Sequence, residues 1–200
     1  ATKSLMNMQL DWLLVWGEQT RRHALTYMKA DPAKVITFGA AQFDVYRNPT
    51  AMSRQQFCAE HGMNPKSRIL LYAGSNIIAD EYKHLMMLEK AVEGGVLKNC
   101  SILYRPHPWG ITADMARKIL GQPWNSVFLD SSLKQHMQML LDNPDAAAFP
   151  DYRKTRDVLF NIDATISPLS TIILESMICG KPPLCFHPIN DDAPYYDQLA

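Results

Sequence analysis

The segment Arg68-Ile69-Leu70-Leu71-Tyr72-Ala73, closing on Gly74-Ser75, limits the fold more than any other stretch of the chain. Its apolar side chains fall at consecutive positions, so neither face of the strand they form can look into water. A strand buried on both faces belongs to a parallel sheet covered by helices. Shorter runs of the same kind recur on both sides of it. Residues 11–17 read as a strand ending at Gly17, and a helix over 18–29 is stopped by Asp31-Pro32 because proline cannot continue it. Residues 34–38 form a second strand ending at Gly39, and the turn-rich stretch 43–49 reads as a linker. Ser53 is placed to cap a helix through His61, with Gly62 as its stop. After the strand at 68–73 come a helix over 80–94, with Tyr82, Leu85, Met86, Leu88 and Val92 on one face, and a strand at 101–104. A helix at 114–120, a strand at 127–130 and an exposed loop at 142–151 follow. The chain then reads as a helix at 153–159, a strand at 162–167, a helix at 171–179 closed by Gly180 in the left-handed conformation, and a strand at 183–186. Strands and helices alternate, so the expected class is α/β, a doubly wound parallel sheet with helices on both faces.

Composition supports a folded core and excludes several modes of action. Hydrophobic residues make up 47% of the 200, enough to rule out disorder as the main state. Twenty Lys and Arg balance 20 Asp and Glu. A neutral chain lacks the positive field on which wrapping nucleic acid or lying on anionic lipid depends. The cysteines Cys58, Cys100, Cys179 and Cys185 form no zinc-ligand pattern, which favours a reduced, cytoplasmic setting and predicts no metal site. No apolar run reaches the ~20 residues that cross a bilayer, so membrane contact would be peripheral, at the inner face. The methionines, Met86, Met87, Met137 and Met139 among them, read as core filling. Burial is likewise expected of Trp12, Trp16 and Trp124, with Trp109 set apart by its place beside a His-Pro pair.

Ligands of open α/β sheets bind beyond the carboxyl ends of the strands. Here those ends carry Gly74-Ser75, Arg105-Pro106-His107-Pro108 and Ser167-Pro168-Leu169-Ser170-Thr171. Glycine and small hydroxyls let a backbone approach a phosphate, and Arg and His add charge-assisted donors. Ser170 and Thr171 stand at a helix start, where unpaired N–H groups and the dipole favour an anion. Glu175 follows Thr171 by one turn, placed to reach a ribose diol. Each feature has a plainer reading as well: a proline-shaped loop around His107, simple capping by Ser170 and Thr171, a dipole-favoured Glu175, a turn at Gly74. A second His-Pro pair, His187-Pro188, reads as loop structure after the last strand.

The order Gly-Ser, then Arg-Pro-His-Pro, then Ser-x-x-Ser-Thr-x-x-x-Glu-x-x-x-x-Gly-Lys-Pro over residues 167–182 resembles the C-terminal, donor-binding half of GT-B glycosyltransferases. Within that fold it is most similar to the bacterial surface-polysaccharide and CDP-glycerol glycerophosphotransferase-like branch. Where the pattern has a proline after the second strand's glycine, this chain has Ala40-Ala41. The resemblance implies that residues 1–48 are the tail of an N-terminal Rossmann-like, acceptor-side domain with its linker. Residues 49–200 would be a Rossmann-like donor domain, truncated before its closing helices. A complete enzyme of this kind is about twice as long, which implies a fragment of a larger protein.

The same resemblance implies a transferase that moves a sugar or glycerophosphate-type group from a nucleotide-activated donor to a glycan or lipid-linked glycan acceptor in surface-polysaccharide or capsule assembly. Arg105 and His107 would be catalytic. Gly74, Ser75, His107, Ser167, Ser170, Thr171 and Glu175 would bind the donor. No cofactor is expected beyond the donor itself, and no nucleic acid partner. The general base would come from the other half. Two other readings remain open: a non-hydrolysing sugar-nucleotide 2-epimerase, and a non-catalytic nucleotide-binding domain.

Overall fold

A computed structural model describes residues 10–75, 80–146, 148–149 and 151–186. Two compact units divide the chain, Ala1–Arg47 and Asn48–Ala200.

In the first unit, β1 (Leu13–Val15) and β2 (Val35–Thr37) pair in parallel, with Leu14 opposite Ile36, and α1 (Glu18–Thr26) connects them. Asp31 accepts the Ala33 N–H at 2.9 Å and opens a short 3-10 turn over Pro32–Lys34 that feeds β2. Val15, Val35 and Ala24 close a small core under α1. Side chains alternate along a strand. The positions between these core residues therefore fall on the other face, where Trp12, Leu14, Trp16, Ile36 and Phe38 are all exposed. The burial expected of Trp12 and Trp16 is corrected by this alternation, because α1 covers one side of the pair. A 3-10 helix, Ala41–Arg47, overlaps the stretch read as a linker.

The second unit opens with α2 (Arg54–His61). Ser53 and Gln56 form a reciprocal capping box there, and Gly62 ends the helix at φ 72°. The chain continues through β3 (Arg68–Ala73), α3 (Glu81–Glu93), β4 (Cys100–Arg105), α4 (Ala113–Gly121) and β5 (Val127–Leu129). Then come α5 (Ser131–Asp142), α6 (Tyr152–Asn161), β6 (Ala164–Ser167), α7 (Thr171–Ile178) and β7 (Pro183–Cys185). All the strands are parallel, in the order β5-β4-β3-β6-β7. From β3 the chain builds outward through β4 to β5, then returns to the opposite side of β3 for β6 and β7. The winding direction reverses between β3 and β6, and ligands bind at such a switch point.

Alternation sorts the two faces. Tyr72, Ile102 and Tyr104 point toward α3, α4 and α5, where Leu85, Ala116, Ile119, Met137 and Leu140 complete a core. Arg105 bonds Thr155 of α6, and Thr165 bonds Ser176 of α7 at 2.8 Å, so the intervening positions face α6 and α7. Ile69, Leu71, Leu103 and Leu159 are fully buried.

The helix α5 lies where the sequence shows no clear pattern. Its start is set by Asp130, whose carboxylate caps the Ser132 N–H at 2.8 Å, and it buries Leu133, Met137 and Leu140 at helical spacing. Met137 is core as expected. Met87 and Met139 are exposed, correcting the core assignment, because each sits on the outer face of its helix. Trp124 is half-buried and donates its indole N–H to the Ile119 carbonyl at 2.9 Å. Among the described residues no helix is long and apolar enough to cross a membrane.

Candidate functional site

The carboxyl end of β6 and the start of α7 lie beside the switch point. Tyr72 and Ile166 are register partners, so Ala73 and Ser167 end neighbouring strands. The Ser167 side chain is fully buried, and its hydroxyl has no hydrogen-bond partner among the described residues. An unpaired buried hydroxyl is unfavourable by about 1–3 kcal/mol unless something bonds it. Three residues on, Ser170 occupies the N-cap of α7 in extended conformation, yet its side chain makes no capping bond. The simple capping reading therefore does not describe Ser170. Thr171 is exposed at the first helical position. The first N–H groups of α7 keep their capacity to bind an anion, reinforced by the helix dipole. One turn on from Thr171, Glu175 is buried in α7 next to Ser176.

At the end of β4, Arg105 and His107 diverge. The Arg105 side chain turns inward, where its guanidinium pairs with the Asp130 carboxylate and bonds Thr155 Oγ1 at 2.9 Å and Ser132 Oγ at 3.3 Å. Burial would raise the Asp130 acid, but the Arg105 guanidinium and the Ser132 hydroxyl hold it below the usual carboxylate range. The open cation expected at Arg105 is thus corrected: strand alternation sends the side chain under the sheet, where it ties together β4 and the starts of α5 and α6. His107 is half-buried, and burial lowers its pKa. Its Nδ1 accepts the Trp109 N–H at 3.1 Å, so the neutral ring carries its proton on Nε2. That Nε2–H has no partner among the described residues and is the donor the loop offers. Trp109 stands edge-on to the imidazole at 5.8 Å and donates its indole N–H to the Ala148 carbonyl at 3.0 Å.

Gly74 and Ser75 follow the end of β3, where the Glu81 side chain packs over the first and bonds the backbone of the second. The Glu81 carboxyl lies directly against Gly74: a Cβ there would fall 2.8 Å from the carboxyl carbon. Glu81 accepts the Ser75 N–H at 3.2 Å and the Tyr104 hydroxyl. Burial pushes its pKa up to about 7 against the pull of those two bonds, and burial beside this carboxyl raises Tyr104 well above the usual phenol range. Sequence reasoning missed Glu81. The available signal was the acidic pair Asp80-Glu81 opening a helix just after a Gly-Ser turn.

A cavity of about 140 Å³ is lined by His61, Asp130, Ser131, Lys154 and Asp157 among others. Carboxylates outnumber cations there, which does not suit a phosphate. Among the described residues no cluster of His, Cys, Asp or Glu is arranged to hold a metal. His187-Pro188 lies outside the described residues.

A doubly wound, Rossmann-like α/β unit with a helix start open to anions at its switch point defines the general class of this fold. No family model and no curated protein matches the sequence. Among solved structures the chain is similar to the wall teichoic acid polymerase TagF, with a TM-score of 0.52 at 16% identity over 95% of this chain and 41% of that one. A histidine-to-asparagine variant of TagF soaked with CDPG gives 0.56 at 13% identity over 94% of this chain and 41% of that one. The same variant unsoaked gives 0.53 at 13% over 88% and 39%. The likeness is one of fold, a parallel α/β sheet flanked by helices similar to that of this GT-B neighbour. The chain spans about two fifths of the polymerase's length.

Proposed function

We propose that the chain carries the donor-binding part of a GT-B-type glycosyltransferase or glycerophosphotransferase, which moves a sugar or glycerophosphate-type group from a nucleotide-activated donor to a surface-glycan acceptor. Residues 49–200 form the donor domain in this reading, and residues 1–48 belong to the acceptor-side domain and linker. The observation that carries it is the pairing of an unbonded, buried Ser167 hydroxyl with the uncapped start of α7 at the switch point. The fold likeness to TagF supports the same class.

In this reading the α7 N–H groups, with Ser167, Ser170 and Thr171, hold the leaving phosphate, and His107 donates Nε2–H to a phosphate oxygen. Donors already in place where negative charge develops can each be worth about 3–4 kcal/mol. Glu175 is assigned to the ribose side, Gly74 and Ser75 to the wall beside the cradle, and Arg105 to holding the end of β4.

The test is a thermal-shift panel of UDP-, CDP-, CMP- and GDP-linked compounds. A donor present at 100 times its Kd stabilises by about 2.7 kcal/mol, which raises Tm by several degrees. No shift with any member of the panel refutes the reading. Release of free nucleotide only when acceptor is added marks a transferase. Interconversion of sugar nucleotides without acceptor marks an epimerase.

A further inference from the structure

We propose that Glu81 is the positioning residue of the switch-point turn, its carboxyl locking the Gly74–Ser75 backbone to Tyr104 and so setting one wall of the phosphate cradle. The inference rests on the donor-site reading above for its ligand, and on geometry alone for the lock. Three contacts converge on one carboxyl. It fills the space over Gly74 that any side chain at that position would need. It accepts the Ser75 N–H at 3.2 Å, and it accepts the Tyr104 hydroxyl from the next strand. Gly74 in turn donates its N–H to the Arg105 carbonyl at 2.9 Å, so the turn is tied to β4 through both backbone and side chain.

The position is unusual for an acid. Glu81 is the first residue of α3, a favourable place for negative charge, yet its side chain is folded back beneath the sheet edge and is buried. Among the described residues, the groups facing it are Tyr104 from β4 and, beyond that ring, Tyr72 from β3, whose hydroxyl shares a 2.7 Å hydrogen bond with His84 Nδ1 of α3. Asp80 precedes it at the N-cap, engaged with the Lys83 N–H at 3.0 Å. Desolvation keeps the acid poised near neutrality, at about 7. The ionised carboxylate keeps both hydrogen bonds but adds a negative charge next to the strand that borders the cradle. A bound diphosphate therefore favours the protonated form, and the lock and donor binding are linked through one proton.

The test uses Glu81→Ala, which removes the lock, and Glu81→Gln, which keeps an acceptor for Ser75 and cannot ionise. Amide hydrogen exchange at Ser75 reads the lock without any ligand: about tenfold or faster exchange is expected in Glu81→Ala and near wild-type exchange in Glu81→Gln. Titration with CDP between pH 6 and 8 reads the linkage. Ionisation of the probe's own phosphates is common to both proteins and cancels in the ratio of wild-type to Glu81→Gln Kd. That ratio should rise about tenfold over the range if the complex keeps the proton. Gly74→Ala should reproduce the Glu81→Ala exchange pattern, and the two together should be no worse than either alone. Equal Ser75 exchange in wild type and Glu81→Ala, or a flat ratio in proteins that do bind CDP, overturns the proposal. Failure of the wild type to bind CDP counts against the donor reading, and the exchange result then decides the lock by itself.

Discussion

Arg105→Met separates a structural arginine from a ligand-binding one. The guanidinium pairs with Asp130 and reaches Thr155 and Ser132, with only 9% of the Arg105 side chain and 1% of Asp130 exposed. Methionine replaces most of the buried stem but leaves the Asp130 carboxylate without its cation in a dry setting. Breaking a buried pair on one side destabilises by about 3–5 kcal/mol. For a unit of roughly 150 residues that corresponds to a fall in Tm of about 6–20 °C. Adding Asp130→Asn removes the stranded charge and retains an acceptor for the Ser132 N–H, so the double variant should recover half or more of the loss. Urea unfolding of wild type, both single variants and the double variant gives the coupling directly. An Arg105→Met protein with unchanged Tm and lost nucleotide affinity would show the guanidinium acting at the ligand, and the buried-pair reasoning would be wrong.

Other consequences are open to equally direct measurement. The Glu81 acid stands at about 7 in the folded protein against 4.5 ordinarily, so the fold holds a proton that the unfolded chain gives up. Its contribution is complete below pH 4.5 and lost as pH rises through 7, about 3 kcal/mol in all; in Glu81→Gln this part of the pH dependence should vanish from urea unfolding curves. His107→Ala should weaken nucleotide binding tenfold or more by calorimetry while leaving Tm within about 2 °C, since among the described residues its ring bonds only the adjacent turn. Ser53→Ala breaks a true capping box and should destabilise by about 1 kcal/mol, whereas Ser170→Ala should leave stability nearly unchanged and lower donor affinity; equal stability losses would mean that Ser170 is an ordinary cap after all.

What was legible in the sequence is what local chemistry dictates. Leu70, Leu71 and Tyr72 announce a two-sided strand because no neighbour is needed to explain an unbroken apolar run. Gly62 and Gly180 mark left-handed helix ends, at φ 72° and 70°, because a side chain is strained there. The strand ends nearest the switch point are likewise visible as Gly-Ser and Ser-x-x-Ser-Thr. The remainder depends on partners distant along the chain. Asp130 and Thr155, which turn Arg105 inward, lie 25 and 50 positions away from it. The amphipathic pattern of α5 is diluted by Ser131, Ser132, Lys134, Gln135 and Gln138, and its cap is the last polar residue after a strand. Glu81 is near Gly74 in sequence, but nothing in the order of residues says that its carboxyl folds back over the glycine rather than out to solvent.

The open face of the β1–β2 ribbon bears on how the protein behaves in a tube. Trp12, Leu14, Trp16, Ile36 and Phe38 each keep between 43% and 61% of their surface in water. Wrapping a half-exposed side chain of that size is worth about 1 kcal/mol, so covering the set would release on the order of 5 kcal/mol. That is an adhesive surface, comparable in strength to a millimolar association if a single neighbour satisfied it. Concentrated solutions should scatter more light than dilute ones, mild non-ionic detergent should suppress the excess, and Trp12→Ser with Phe38→Ser should do the same without disturbing the Val15–Val35–Ala24 core on the opposite side.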